Sequence, residues 1–231
     1  MKKRWWLAAI AIGIIAIVIA VSSFGLVERI QESKIDPREL LIESLEKTAA
    51  TKSFRYSLES ALLVEGRREL ISKVEGEKSA EGNIHIKGEM VKTQIDIYHF
   101  DDAIYNWDPF SKRWMVIKDD QTNSSKVLIS ELDPLSNFNF KSIGEVQNAG
   151  WENVDGQRCM IVNCKPSVEN ELMEVLWQAF EYSVCIDIND KVIRRASLSA
   201  TSKNNSETFL RLQVGFYDFD KKIAVNKPEI Q

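Results

Sequence analysis

The chain has 231 residues, of which 44% are hydrophobic and 28% are charged, and its formal net charge at pH 7 is −4. A chain of this length can form one domain whose core needs neither disulfides nor metals. The small acidic excess argues against a nucleic-acid-binding surface, which requires clustered Lys and Arg.

The N-terminus predicts a membrane anchor. Residues 1–4, three of which are basic, precede an apolar run from Trp5 to Val27. About 20 apolar residues in a helix are enough to cross a hydrocarbon core about 30 Å thick. The basic flank is expected to stay in the cytoplasm, so everything after Val27 lies outside the cell membrane in a single-pass topology. A cleaved signal peptide, with the small residues Ala20 and Ser22 before the cut, is the alternative, and the length of the run favours an uncleaved anchor.

The part outside the membrane consists of a charged connector, residues 28–35, and one extracytoplasmic domain, residues 36–231. Removing the three positive charges of the N-terminal flank from the formal −4 leaves −7 for this part. That excess disfavours strong docking on anionic lipid head groups.

The domain is predicted to open with an amphipathic helix. Asp36 is a good N-cap, and Pro37 suits the first helical position. Small and apolar residues recur at helical spacing as far as Thr51 and predict a face that packs on a sheet. These residues are Leu41, Ile42, Leu45, Thr48 and Ala49.

Six consecutive β-strands are predicted between Ser53 and Lys118. Apolar and polar residues alternate there, as in strands with one buried face and one solvated face. The apolar positions of the two clearest strands are Phe54, Tyr56, Leu58, Leu62, Val64, Ile84, Ile86 and Met90. Turn residues separate the strands at Glu65-Gly66, Glu81-Gly82, Asp101-Asp102 and Asp108-Pro109. A long antiparallel meander of this kind needs another layer over its apolar face.

The rest of the chain mixes helices and strands. A short helix is predicted over Ser124–Leu132, and a second amphipathic helix over Val168–Phe180 with Ser167 as its cap. Residues 135–146 favour neither type of structure. Further strands are predicted at 146–152, 157–164, 181–188, 192–203 and 206–219. About eleven strands, without a regular alternation of strand and helix, predict an α+β fold with an antiparallel sheet.

No pattern of catalytic or metal-binding residues stands out. His85 and His99 lie in predicted strands, where an ordinary structural histidine is the expected interpretation. The sequence from Asp187 to Asp190 is similar to the start of a calcium loop, but it lacks the central Gly and the closing Glu, so it predicts a hairpin turn. We therefore expect no enzyme activity, no cofactor and no metal.

Three cysteines lie outside the predicted membrane span, where disulfides can form. Cys159 and Cys164 are five positions apart on one predicted strand and therefore face opposite sides of the sheet. Only one of them can pair with Cys185 on a neighbouring strand. Which of the two would do so is open.

The order of these elements resembles the LolA-like superfamily of bacterial envelope proteins, which includes the lipoprotein carrier LolA and the lipid-binding lipoproteins LppX and LprG. The resemblance covers Asp36 to Ile230. The segments that carry it are, in order, SFRYSLESAL, GEKSAEGNIHIKGEM, IYHFDDAIYNWDPFSKRWMVI, VCIDINDKVIRRASL and FYDFDKKIAVNKPEI.

The resemblance implies a half-open antiparallel β-barrel of about eleven strands, with helices over its concave apolar face. It also implies an apolar ligand on that face: an acyl chain, a lipid or an acylated protein. The expected cavity lining on the early strands is Phe54, Tyr56, Leu58, Ile84, Ile86 and Met90, with the helix at 37–51 as a lid.

The chain departs from the family in two ways, because it has no cysteine for N-terminal lipidation and keeps an apparent anchor. A tethered protein cannot shuttle freely, so an envelope sensor or protein-interaction module with no ligand cavity is the alternative.

Overall fold

The computed structural model describes residues 34–118 and 132–230. The predicted membrane anchor, Trp5–Val27, lies outside the described residues, as does the predicted helix Ser124–Leu132 apart from Leu132. Among the residues that the structure describes, no helix is long and apolar enough to span a membrane.

An antiparallel sheet dominates the domain. The described residues form thirteen strands: β1 (Phe54–Val64), β2 (Arg67–Lys78), β3 (Ile84–Met90), β4 (Thr93–Phe100), β5 (Ala103–Asp108), β6 (Arg113–Lys118), β7 (Phe140–Ser142), β8 (Val146–Val154), β9 (Gln157–Cys164), β10 (Ser167–Val168), β11 (Trp177–Asp187), β12 (Ile193–Ser202) and β13 (Thr208–Tyr217). Eleven of them form one sheet in the order β6-β5-β4-β3-β2-β1-β13-β12-β11-β9-β8, while β7 and β10 pair separately. The large sheet is open, with β6 and β8 at its edges, which confirms the predicted antiparallel architecture.

The first helix is confirmed. Helix α1 (Pro37–Ala50) begins after Asp36, whose carboxylate accepts hydrogen bonds from the backbone N–H groups of Arg38 and Glu39. These two bonds satisfy donors that a helix N-terminus otherwise leaves unpaired. The buried side of α1 differs in part from the predicted one, because Leu40 and Ser44 are buried while Ile42 is exposed.

The amphipathic helix predicted over Val168–Phe180, with Ser167 as its cap, is wrong in most of its length. Helix α2 covers only Glu171–Leu176 and is capped by the Asn170 side chain. The chain from Trp177 onwards joins β11 and pairs with β12, with an irregularity near Ala179, where φ is +53°. Hydrogen bonding along the β12 ladder outweighs the helical spacing of the apolar residues, as tertiary context often does.

The large sheet has an apolar face and a polar face. Side chains of the apolar face form the main core, which includes Tyr56, Leu58, Ile86, Met160, Val184 and Val214. Their neighbours in sequence, such as Ser57, Lys87 and Gln213, point to the opposite, polar face. The predicted alternation in β1 and β3 is therefore confirmed. A bulge between Ser60 and Ala61 against β2 interrupts it, so that Ala61 is buried while Leu62 and Val64 are half-buried.

The segment from Asp187 to Asp190 is a hairpin turn, as predicted. The Asp187 carboxylate is fully buried and accepts hydrogen bonds from the backbone N–H groups of Asn189 and Asp190 and from the Arg194 guanidinium. These bonds close the connection between β11 and β12. Among the described residues, no group of three or more His, Cys, Asp or Glu side chains is placed to hold a metal ion.

Candidate ligand site on the apolar face

The predicted lining residues lie together on the apolar face of β1 and β3, with β2 between them. Cross-strand pairing aligns Tyr56 with Gly76 of β2, and Gly76 with Ile86 of β3. Phe54, Tyr56, Leu58 and Ile86 are at most 2% exposed, and Ile84 and Met90 are half-buried and pack against the same core. Their role in ligand binding stays a prediction.

Gly76 makes room for the ring of Tyr56. A Cβ atom at position 76 would lie 2.1 Å from Tyr56 Cζ, well inside any allowed contact. The phenol therefore lies directly on the backbone of β2. We did not single out Gly76 in the sequence, although an isolated glycine inside a strand signals a close approach of this kind.

A short segment, Leu132–Phe138, covers the middle of the apolar face. Two buried tyrosines from different parts of the sheet hold it: the Tyr56 hydroxyl donates to the carbonyl of Leu132 at 3.0 Å, and the Tyr182 hydroxyl donates to that of Asn137 at 2.8 Å. Burial raises the pKa of both phenols far above the usual value, so both remain donors at physiological pH. We call Leu132–Phe138 the cover segment.

The cover segment is irregular and packs through one aromatic side chain. Pro134–Phe138 is a single 3₁₀ turn, and Phe138 places its ring 6.2 Å, between centroids, from the rings of both Tyr182 and Phe216. Leu132 is 1% exposed. The cover is thus anchored to β1, β11 and β13 by packing and two hydrogen bonds.

Asp133 is a partly buried carboxylate within the cover. It accepts a hydrogen bond from the backbone N–H of Leu135 at 2.9 Å. Burial raises the pKa of its carboxyl group, and the bond from Leu135 and the nearby Lys78 charge offset part of that effect. Lys78 also places its ammonium 5.8 Å from the centre of the Phe54 ring.

The lid predicted from the sequence is in a different place. Helix α1 packs on β8, β9, β11 and β12, and Thr48 Oγ1 accepts a hydrogen bond from Ile193 N there. The segment that is hydrogen-bonded to Tyr56 on β1 is the cover segment. No periodic pattern of apolar residues marks this segment in the sequence, because a single 3₁₀ turn is too short to show one.

Two pockets lie on the polar face. One is a groove of about 780 Å³ that crosses β1 to β5 and reaches β12 and β13, with Trp107 and Arg195 in its walls. Its lining mixes both signs of charge and includes Glu59, Lys73, Glu75, Lys87, Glu89 and Asp96. The other, of about 360 Å³, lies over β9, β11, β12 and β13. We did not predict either pocket, because alternating polar residues are also typical of a plain solvated face.

The histidines occupy ordinary positions in the sheet. His85 Nε2 lies 2.8 Å from a carboxylate oxygen of Asp96, and its ring stacks on Tyr98 with the centroids 3.9 Å apart. These two contacts hold the His85 ring in place between neighbouring strands. His99 is half-buried, and its Nδ1 has no hydrogen-bond partner among the described residues.

All three cysteines are buried free thiols in the structure. Cys159 and Cys185 face the polar side of β9 and β11 and are in hydrogen-bonding contact, which raises the pKa of Cys159 and lowers that of Cys185. Cys164 belongs to the core on the apolar face. A disulfide stays a prediction, and Cys159 is the residue that shares a face with Cys185.

The fold is similar to that of solved bacterial proteins, whereas no protein-family model and no curated protein sequence matches the chain. The lipoprotein LppX of Mycobacterium tuberculosis matches with a TM-score of 0.57 and 16% identity, over 83% of this chain and 100% of LppX. The chain has a LolA-like fold.

Two further structures are similar. LprF from Mycobacterium bovis matches with a TM-score of 0.51 and 9% identity, over 83% of this chain and 96% of LprF. A LolA superfamily protein from Nitrosomonas europaea matches with a TM-score of 0.37 and 10% identity, over 83% of this chain and 96% of that protein. At these identities the LolA-like fold is established, and the function has to be argued from the residues.

Proposed function

We propose that this protein is an extracytoplasmic domain, tethered to the cell membrane by residues 5–27, that binds an acyl chain on the apolar face of its sheet. The acyl chain belongs to a lipid or to an acylated protein. It lies between β1 to β3 and the cover segment, against Phe54, Tyr56, Leu58, Ile84, Ile86 and Met90.

The observation that carries this proposal is how the apolar face is covered. The cover segment is a short irregular piece of chain, fastened by the hydroxyl groups of Tyr56 and Tyr182. Each such hydrogen bond contributes only about 1 kcal/mol net. An acyl chain that replaces the packing of Leu132 and Phe138 restores apolar burial worth about 25 cal/mol per Å², so displacing the cover costs little once a ligand is bound.

The tether and the fold agree with a role in the cell envelope. LppX, which has the same fold, is itself a lipoprotein. A domain held at the membrane reaches acyl chains locally, which suits a binding or presenting role better than transport across the envelope.

Titration of a fluorescent fatty acid into the purified full chain tests the proposal. The variants Leu58→Trp and Ser57→Trp differ by one position on β1, but their indoles point to the apolar and the polar face respectively. Leu58→Trp is expected to weaken probe binding by about tenfold, or about 1.4 kcal/mol, while Ser57→Trp leaves it unchanged. Equal effects of the two variants, in folded protein, would reject the apolar-face site.

The groove on the polar face supports a second candidate, an envelope sensor or protein-interaction module. A groove of about 780 Å³ with interleaved carboxylates and cations suits an extended polypeptide of mixed charge. This candidate predicts the opposite effects of the two variants. Ser57→Trp should block capture of the protein partner in cross-linking experiments, and Leu58→Trp should not.

A further inference from the structure

Exposed apolar side chains gather at one end of the eleven-stranded sheet. Val91, at the tip of the β3–β4 hairpin, is 67% exposed, and Phe110, at the tip of the β5–β6 hairpin, is 90% exposed. Successive antiparallel strands reverse direction, so both tips lie at the same end as the β1–β2 turn.

Helix α2 lies at this end as well. It leads directly into β11, whose first residues align through β12 and β13 with the C-terminal part of β1. Its Val175 and Leu176 are 69% and 48% exposed. We call this region, formed by Val91, Phe110, Val175 and Leu176, the apolar end.

The turns at the opposite end of the sheet have a different chemistry. They contain Glu81-Gly82, Asp101-Asp102, Asp155-Gly156 and Asn189-Asp190. These residue types are favoured in turns because they tolerate the required backbone angles and bond to the local backbone. None of these four turns presents an exposed large apolar side chain, whereas the β3–β4 and β5–β6 turns at the apolar end do.

Val91 is exposed at a cost in backbone strain. Val91 and Lys92 have φ angles of +48° and +61°. A two-residue turn with two positive φ angles usually contains Asn, Asp or Gly, and a β-branched residue there is an outlier. Strain of this kind lowers the stability of the fold and is concentrated at functional positions.

Phe110 is held outward by its own turn. The Asp108 carboxylate accepts hydrogen bonds from Phe110 N at 3.0 Å and from Ser111 N at 3.3 Å, which fixes the tip. Basic residues follow both exposed side chains: Lys92 after Val91, and Lys112 after Phe110. An apolar residue beside a long cation suits the lipid interface, where the ring or alkyl group enters the acyl region and the cation meets phosphate.

The chain enters the domain at the same end. Arg38, in the first turn of α1, donates to the carbonyl of Gly144 at 2.8 Å, just before β8 starts at this end of the sheet. The connector, residues 28–35, spans at most about 28 Å when fully extended. The predicted membrane anchor therefore holds the apolar end close to the bilayer.

We propose that the apolar end docks on the outer face of the membrane, with Val91 and Phe110 inserted among the lipids and Lys92 and Lys112 at the head-group phosphates. Carboxylates are present at this end as well, at Glu65 in the β1–β2 turn and at Asp108 beside Phe110, so the contact depends on the exposed apolar side chains and the two lysines and not on net charge. This surface is separate from the ligand site and goes beyond the proposed function.

Site-directed spin labelling of the full chain in nanodiscs of phosphatidylcholine and phosphatidylglycerol tests the proposal. Nitroxides are attached to Val91→Cys and Phe110→Cys, with Ala80→Cys and Asp101→Cys at the opposite end as matched controls. All four positions are exposed, so the fold should tolerate the labels. The same labelling reaction on the unsubstituted chain gives the background from its three buried cysteines.

The labels at 91 and 110 are expected to show a several-fold higher ratio of oxygen to aqueous nickel collisions than the labels at 80 and 101. Equal ratios at the two ends would overturn the proposal. A high ratio at 91 and 110 only when other envelope proteins share the disc would overturn it too, because the surface would then bind protein instead of lipid.

Discussion

The ring of Tyr56 lies on the backbone of Gly76, its cross-strand neighbour, so closely that a Cβ atom at position 76 would be 2.1 Å from Tyr56 Cζ. The same tyrosine donates to the carbonyl of Leu132. Gly76→Ala is therefore expected to displace the phenol, break its bond to the cover segment and destabilise the fold by about 1–3 kcal/mol. Urea unfolding measures the loss.

Gly215→Ala is the matched control for this prediction. Gly215 lies inside neighbouring β13, and an added Cβ would meet only the movable Ser57 hydroxyl at 3.1 Å. Alanine there should change the free energy of unfolding by less than about 1 kcal/mol, since it also lowers the entropy of the unfolded chain. Similar losses of stability in Gly76→Ala and Gly215→Ala would show that the loss at position 76 does not come from the contact with Tyr56.

Removing one phenolic hydroxyl should loosen the cover without disturbing the core. Tyr56→Phe leaves the buried carbonyl of Leu132 unpaired and is expected to cost about 1–2 kcal/mol, and Tyr182→Phe should do the same through Asn137. Both variants should bind a fluorescent fatty acid faster than the parent. Tyr98→Phe, on the polar face, keeps its stacked ring and should change neither stability nor binding rate.

Asp133 should make the cover sensitive to pH. Burial raises the pKa of this carboxyl group above its usual value. A group with a raised folded-state pKa contributes stability that is fully present below the unfolded-state pKa and is lost as pH rises through the folded-state pKa. Asp133→Asn keeps an oxygen acceptor for Leu135 N and cannot ionise, so it should be more stable than the parent at pH 7.

Urea unfolding across the pH range checks the sign of this effect. The advantage of Asp133→Asn should shrink as the pH falls and vanish by about pH 3, where the parent carboxyl group is protonated in both states. If Asp133→Asn were more stable than the parent by the same amount at every pH, the difference would come from hydrogen bonding and not from ionisation of Asp133.

The thiols allow a separate prediction. Under oxidising conditions Cys159 and Cys185, which share a face on adjacent strands, should pair and leave Cys164 as the free thiol. A bond there would contribute about 2–4 kcal/mol. Thiol counting on denatured, unreduced Cys164→Ser protein should then find no free thiol. Free thiols in that variant would mean that the pair stays reduced or that Cys164 takes part.

The sequence predicted what depends on local pattern. Alternation of apolar and polar residues in the strands around Phe54 and Ile86 showed which side chains are buried, because one face of the sheet is packed and the other is exposed to solvent. Asp36 and Pro37 located the start of α1 through capping chemistry that acts over three residues. The prediction of a helix over Val168–Phe180 was wrong because the apolar spacing there also suits a strand. Residues from Trp177 onwards pair with β12 and form β11.

The cover segment could not be predicted, since its contacts are distant in sequence. Tyr56 and Leu132 are 76 positions apart, and Asn137 and Tyr182 are 45 positions apart. Nothing near Leu132 in the sequence specifies these partners. The predicted lining residues were correctly placed on one face, but what lies over that face is set by folding of the whole chain.

Photolabelling with a fatty acid that carries a diazirine tests the central claim most directly. After irradiation of the full chain and proteolysis, mass spectrometry locates the adducts. We expect them on β1, β3 and the cover segment, and expect them to be lost in Leu58→Trp and retained in Ser57→Trp. Adducts confined to the predicted anchor or to the polar-face groove would contradict the account.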